Sequence, residues 1–158
     1  MTMSAEPATT DIDKSDPYRI VIVEDDRSQA LFAEAILRGA GMLAEVVSAP
    51  ERLMATMEQF SPDLVLMDLH MPEMDGLEST QRIRALPAPR GQVPVVVLTA
   101  NALEEARQDA AGAGASGFLT KPLRVQELQA VVRNCQAAPH RRQDQEHPEP
   151  SSASSVAG

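Results

Sequence analysis

Five side chains that can bind a metal or take part in proton or phosphoryl transfer follow or close short apolar runs of the sequence. Glu24 and Asp25 follow the first run, Asp68 closes the strongest one, and Thr99 and Lys121 end two later runs. Parallel strands present their carboxyl ends at one edge of a sheet, where the functional site of such a fold lies. If these runs are parallel strands, the five side chains converge at that edge.

The three acids predict a metal site. Carboxylates a few ångströms apart repel one another, which raises their pKa values or opens the site. A hard divalent cation relieves that repulsion, and a site made of oxygen ligands with water in reach suits Mg²⁺. The formal charges of Glu24, Asp25, Asp68, one Mg²⁺ and the Lys121 ammonium cancel, so the resting site is balanced.

The same set of groups predicts a switch. A carboxylate beside Mg²⁺ can attack a phosphoryl donor and form an aspartyl phosphate. The acceptor then carries a charge of roughly −2, so the balanced site gains about one negative charge. The Thr99 hydroxyl and the Lys121 ammonium are the groups that can move to meet that charge.

Each of these residues also has an ordinary structural explanation. Acids after a strand often cap the next helix, and Asp26 is expected to do so. Thr99 could be a β-branched strand residue, and Lys121 a solvated surface lysine. What favours a functional site is that all of them fall at the same edge of one predicted sheet.

The elements that would position these residues are short apolar runs alternating with helical segments. Strands are predicted at 18–23, 44–48, 63–69, 94–99 and 117–122, and helices at 28–39, 50–60, 77–86, 101–113 and 125–135. In the first helix, Leu31, Ala35 and Ile36 are predicted to share one face. Near-continuous Val, Ile and Leu in the strands indicate a parallel sheet covered on both faces, and right-handed crossovers make it doubly wound.

Composition narrows the function classes. The chain has 158 residues, a net charge of −9 and a pI near 4.7, so its average field repels nucleic acid. Cys135 is the only cysteine, and no apolar stretch in the sequence is long enough to span a bilayer. We therefore expect a cytoplasmic protein without direct nucleic acid or membrane binding. Residues 1–17 and 138–158 are polar and poor in apolar side chains, which predicts a disordered N-terminal tail and a disordered C-terminal tail or linker stump.

Residues 18–137 resemble the receiver domains of two-component response regulators, the CheY-like superfamily. Four ordered motifs carry the resemblance: Val21–Asp26, Asp63–Gly76, Pro94–Ala100 and Gly117–Pro122. The resemblance implies a flavodoxin-like α/β fold with strand order 2-1-3-4-5 and five helices. It also implies a phosphodonor, either a histidine kinase or a histidine phosphotransfer protein.

The resemblance further implies a role for each site residue. Asp68 would be the phosphorylated nucleophile. Asp25 and Asp68 would bind Mg²⁺ directly with the backbone carbonyl of His70, and Glu24 would act through a metal-bound water. Lys121 would pair with the phosphoryl oxygens.

The switch would involve the last part of the domain. Thr99 would turn inward on phosphorylation and the Phe118 ring would follow it, changing the surface formed by the last two helices and the strand between them. The peptide bond between Lys121 and Pro122 is expected to be cis. We expect phosphorylation to strengthen partner binding or homodimer formation at that surface.

Two features depart from the family pattern or vary within it. Phe118 stands where many members carry Tyr, so packing rather than a phenolic hydroxyl must drive the rotation. His70 and Asn101 occupy positions that tune phosphate lifetime in the family. We expect the His70 imidazole to face solvent, with only its carbonyl in use.

Four readings of the function are compared. The chain could be a stand-alone receiver that docks to a partner protein, or a receiver module from a larger effector such as a cyclic-dinucleotide enzyme or hybrid kinase. A phosphatase or phosphotransferase with an aspartyl nucleophile is disfavoured, because such enzymes commonly need a second acid two residues after the nucleophile, where this chain has His70. A receiver without chemistry is disfavoured by the intact set of acids, Thr99 and Lys121. The expected protein is therefore a regulatory phospho-acceptor with no enzyme activity beyond its own phosphorylation and dephosphorylation.

Overall fold

The computed structural model describes residues 17–72, 74–100 and 103–137, and strands alternate with helices along them. The main strands are β1 (Arg19–Val23), β2 (Leu43–Val47), β3 (Leu64–Asp68), β4 (Val95–Thr99) and β5 (Gly117–Thr120). The α-helices are α1 (Arg27–Gly39), α2 (Leu53–Phe60), α3 (Gly76–Arg84), α4 (Glu104–Ala113) and α5 (Val125–Ala137). The two predicted tails lie outside the described residues, apart from position 17.

The main strands form one parallel sheet in the order β2-β1-β3-β4-β5. This arrangement confirms the predicted doubly wound fold and its strand order. A short hairpin follows β3 at the edge where the strands end; its two antiparallel strands, His70–Met71 and Met74–Asp75, have two residues each. None of the helices described is long and apolar enough to cross a membrane.

Two apolar layers cover the sheet because successive strand residues point to opposite faces. On one face, Val21, Val65 and Val95 pack with side chains from α2, α3 and α4. On the other face, Ile20 and Leu64 pack with side chains from α1 and α5. Burial on both faces explains why β3 and β4 are buried at every residue and carry no polar alternation.

Of the three residues predicted to share one face of α1, only Ile36 packs against the core. Leu31 is 50% exposed and Ala35 is also exposed, whereas Ala30, Ala33 and Leu37 are buried. The small Ala30 and Ala33 side chains let the helix lie close to the sheet, so the apolar contact follows them rather than the larger Leu31. Leu31 is consequently left on the solvent side of α1.

Several element boundaries also differ from the prediction. A 3₁₀ turn at Pro50–Arg52 precedes α2, and α4 begins at Glu104, with positions 101 and 102 outside the described residues. β5 ends at Thr120, because Pro122 has no N–H to donate to a ladder. The Lys121–Pro122 peptide bond is cis, as expected.

Candidate phosphoryl-acceptor and metal site

The acid cluster consists of Glu24, Asp25 and Asp68, which each offer a carboxylate oxygen within 4.8 Å of the others. The strand register explains this convergence. β1 lies beside β3 with Val23 opposite Met67, so the residues that come next, Glu24 and Asp68, reach the sheet edge at the same level. The predicted gathering of the three acids is therefore confirmed.

Lys121 lies between two of the acids. Its Nζ is 3.1 Å from Glu24 Oε1 and 3.1 Å from Asp68 Oδ1, and its side chain is mostly buried. In the strand order, β1 and β5 lie on opposite sides of β3. Lys121, which follows β5, therefore approaches Asp68 from the side opposite to Asp25, which follows β1. The ammonium stabilises two carboxylates at once but carries only one positive charge.

The pKa of Glu24 reflects its burial and the charges around it. Burial raises the pKa of Glu24 from 4.5 to about 7, and hydrogen bonding and repulsion from Asp68 add to this, while Lys121 opposes it. Glu24 and Asp68 are both buried, whereas Asp25 is exposed. Three carboxylates beside one ammonium leave negative charge that these side chains alone do not balance. Oxygen ligands with that excess charge fit a hard divalent cation.

The loop after β3 holds Asp68 in place. The backbone N–H of His70 donates to Asp68 Oδ1 at 3.0 Å, the same oxygen that Lys121 contacts. The hairpin then returns the chain to Asp75, whose carboxylate caps α3 by accepting from the backbone N–H of Leu77. A Cβ on Gly76 would lie 2.7 Å from the backbone oxygen of Asp68, so the close return of the chain requires glycine.

Asp26 caps the helix that follows it, as expected. Its side chain accepts from the backbone N–H of Gln29 and caps α1, and it is not part of the acid cluster. Its own backbone N–H donates to Glu24 Oε2 at 3.3 Å. Of the three consecutive acids after β1, two therefore belong to the site and the third begins the helix.

Thr99 and His70 form a contact that the sequence did not predict. Thr99 is 1% exposed at the end of β4, and its Oγ1 lies 2.6 Å from His70 Nε2. The expectation that the imidazole of His70 only faces solvent is therefore wrong. The residue as a whole is exposed, but the hairpin turns the ring back so that Nε2 reaches Thr99.

Phe118 lies on β5 and is half-buried against the core face that α2, α3 and α4 cover. The guanidinium carbon of Arg107, on α4, lies 4.7 Å from the centroid of the Phe118 ring, a cation–π distance. Sequence reasoning singled out Phe118 but missed Arg107. Asn101, the other position predicted to tune phosphate lifetime, lies outside the described residues.

An apolar groove adjoins the site, and sequence reasoning missed it as well. It has a volume of about 570 Å³, and Lys121, Pro122 and Leu123 line one side of it while Phe32 of α1 lines another. Phe32 is 45% exposed. The groove therefore places apolar surface next to a residue of the acid site.

A parallel sheet that presents two buried acids, a lysine and a buried threonine at one edge is suited to accept a phosphoryl group. The chain belongs to the response regulator receiver domain family, whose family model matches residues 20–133. This confirms the resemblance found in the sequence. The chain is thus a phospho-accepting signalling domain of the regulatory kind.

Known proteins of two kinds are similar to this chain. It is 34% identical over 116 residues to the sensor protein GacS of Pseudomonas syringae pv. syringae, covering 72% of this chain and 13% of that protein. It is 34% identical over 126 residues to the transcriptional regulatory protein ZraR of Escherichia coli K12, covering 79% of this chain and 28% of that protein. The chain thus spans only a small part of the length of either relative.

A solved structure shares the fold of this chain. The receiver domain of the sensor histidine kinase PA1611 from Pseudomonas aeruginosa PAO1 is 32% identical, with a TM-score of 0.69. The match covers 77% of this chain and 99% of that one, and that structure is described with a magnesium ion coordinated in its active site cleft.

Proposed function

We propose that Asp68 is the phosphoryl acceptor of a magnesium-dependent signalling switch. The observation that carries this proposal is the position of Asp68 at the end of β3, where one carboxylate oxygen contacts both Lys121 and the backbone N–H of His70. A carboxylate oxygen of Asp68 attacks phosphorus, the bond from phosphorus to the donor breaks, and the donor group leaves with the bonding electron pair. Hydrolysis by water later restores the carboxylate and releases inorganic phosphate. This regulatory cycle is the only chemistry we propose for the chain.

Magnesium is the cofactor we propose, held by Asp25, Asp68 and the backbone carbonyl of His70, with Glu24 acting through a bound water. The fit rests on the 4.8 Å acid cluster, in which three carboxylates lie beside a single lysine. When bound, the ion neutralises charge on the phosphoryl oxygens. The residues of the chain orient the acceptor, and Lys121 supplies a cation for the phosphoryl oxygens.

Metal binding is tested by thermal unfolding with and without MgCl₂. We expect Mg²⁺ to raise the melting temperature of the wild type, because a ligand that binds only the folded state stabilises it. Asp25→Asn should lose most of this shift. Asp26→Asn is the matched control, since Asn also caps helices and Asp26 lies outside the acid cluster. Equal shifts in the wild type and Asp25→Asn would contradict the assignment.

The phosphodonor we propose is a phosphohistidine on a histidine kinase or a histidine phosphotransfer protein. A donor must bring its phosphoryl group to the edge where Asp68 lies, and the apolar groove beside Lys121 offers Phe32 and Leu123 as contact surface there. Because kinases of this kind draw on ATP, we place the cycle in the cytoplasm. We propose no contact with nucleic acid or membrane.

The output surface we propose consists of α4, β5 and α5. Thr99 ends the strand beside β5, and the Phe118 ring contacts Arg107 of α4, so a movement of Thr99 has a route to that surface. Phosphorylation would favour a partner protein, an effector domain or a second copy of the chain there. Sedimentation with and without beryllofluoride tests this, and an unchanged mass together with unchanged partner affinity would refute it.

A second candidate is that the chain is the receiver module of a larger protein. The chain matches only a small part of the length of a sensor protein and of a transcriptional regulator, which favours this reading. The site chemistry is the same in both candidates. The length of the reading frame in the source genome distinguishes them.

The acceptor role is tested by intact mass spectrometry after incubation with acetyl phosphate and MgCl₂. We expect the wild type to gain one phosphoryl group, and Asp68→Asn and an EDTA-treated sample to gain none. Asp75→Asn is the matched control, because Asp75 caps α3 on the same loop and Asn can replace it as a cap. Phosphorylation of Asp68→Asn would refute the assignment.

A further inference from the structure

His70 is attached to the site at two points. Its backbone N–H donates to Asp68 Oδ1 at 3.0 Å, and its ring Nε2 lies 2.6 Å from Thr99 Oγ1. One residue therefore joins the acceptor carboxylate to the hydroxyl that is expected to move on phosphorylation. Nothing in the family resemblance required the imidazole to make this second contact.

We propose that His70 is a positioning residue that holds the Thr99 hydroxyl in its resting place and must release it when Asp68 becomes phosphorylated. The proposal rests on the proposed function, because it assumes that a phosphoryl group arrives at Asp68. The hydroxyl has a single proton to donate. With the ring proton of His70 on Nδ1, Nε2 accepts the proton of the Thr99 hydroxyl. That proton is then not available to a phosphoryl oxygen, so the two partners compete.

The strengths of the two bonds decide the outcome of this competition. A hydrogen bond between neutral groups typically contributes a factor of about 2 to 12 to an equilibrium, and one to a charged group a factor of roughly 12 to 160. The phosphoryl oxygen is therefore the preferred acceptor of the Thr99 proton, but the preference is smaller than it would be in the absence of His70. The imidazole thus favours the resting state without blocking the phosphorylated one.

The proposal predicts how His70 affects the binding of a phosphoryl mimic. We expect His70→Ala to bind beryllofluoride in saturating MgCl₂ about 2- to 12-fold more tightly than the wild type, measured by titration calorimetry. Alanine keeps the backbone N–H and carbonyl of position 70, so the contact with Asp68 and the proposed metal ligand remain. In a Thr99→Val background, which lacks the hydroxyl, the same substitution should have no effect. In a Thr99→Ser background, which keeps the hydroxyl, the effect should return.

These outcomes separate the inference from the proposed function. Equal affinities of the wild type and His70→Ala, weaker binding by His70→Ala, or the same gain in the Thr99→Val background would overturn the role of His70 while leaving the acceptor site intact. Failure of the wild type to bind beryllofluoride at all would overturn both.

A spectroscopic measurement tests the release itself. In ¹⁵N-histidine-labelled protein the ring signal of His70 is identified by its loss in His70→Ala. We expect beryllofluoride with Mg²⁺ to move the Nε2 resonance of the wild type to the position found in mimic-free Thr99→Val, because both lack the hydrogen bond. A residue that only shields Asp68 sterically would not give this coincidence. An Nε2 resonance that stays in place when the mimic binds would show that the bond persists and would overturn the proposal.

Discussion

The substitution Glu24→Gln tests the electrostatics of the acid cluster in the metal-free protein. Glu24 is buried, and its pKa is raised from 4.5 to about 7 by burial and by Asp68, against the effect of Lys121. At Glu24 the folded protein therefore binds more protons than the unfolded chain between about pH 4.5 and pH 7. Through this group, the free energy of unfolding is highest at low pH and falls as pH rises through that window.

The size of the effect follows from the two pKa values. At about 1.4 kcal/mol per pH unit, the difference between 4.5 and about 7 corresponds to about 3 kcal/mol in total. Most of this, about 2–3 kcal/mol, is lost between pH 5 and pH 8. Glutamine has nearly the same shape and no charge, so Glu24→Gln should not show this loss.

The assay is urea unfolding followed by circular dichroism at pH 5 and pH 8 in EDTA, since the chain has no tryptophan. Carboxylates distant from Glu24 cancel in the difference between variant and wild type, whereas Asp68, which contacts Glu24, contributes to that difference. From pH 5 to pH 8 the free energy of unfolding should fall by about 2–3 kcal/mol more in the wild type than in Glu24→Gln. In saturating MgCl₂ that difference should vanish or reverse, because the wild type binds the ion better. The same pH dependence in both proteins would refute the reasoning.

Three further predictions concern the packing of the fold, one of them beside the site. The guanidinium of Arg84 donates to the backbone oxygens of Gly91, Val93 and Gly114. Arg84→Ala should therefore lower the free energy of unfolding, measured in urea, by about 2–5 kcal/mol. Arg84→Lys should recover only part of that loss, because lysine lacks the planar fork. Gly76→Ala should destabilise the fold by more than about 1 kcal/mol and weaken Mg²⁺ binding in calorimetry, because its Cβ would meet the backbone of Asp68. Gly112→Ala, where nothing lies within 4 Å, is the control and should stabilise α4 by roughly 0.5–1 kcal/mol; similar losses in both would contradict the packing argument.

The sequence predicted the acid cluster because its members adjoin strand ends. Once β1 and β3 are neighbours in a parallel sheet, the register brings Glu24 beside Asp68 without any knowledge of side-chain conformation. Lys121 follows in the same way from the end of β5. These residues were identified because backbone topology alone determines where they lie.

The features that the sequence did not predict depend on side-chain direction and size. The ring of His70 reaches Thr99 only because the hairpin turns it back, which no pattern of residue types encodes. The face of α1 was misassigned because small alanines, not the larger Leu31, set the approach of the helix to the sheet. The stacking of Arg107 on Phe118 joins two elements whose relative placement is decided by core packing.

The most direct test of the acceptor assignment is to locate the phosphoryl group chemically. Borohydride reduces an acyl phosphate to an alcohol, so protein treated with acetyl phosphate and MgCl₂ should yield, after digestion and tandem mass spectrometry, a peptide with homoserine in place of Asp68. The sample treated with EDTA should retain aspartate there. Homoserine at Asp25 or Asp75, or at no position in the magnesium-treated sample, would contradict the account.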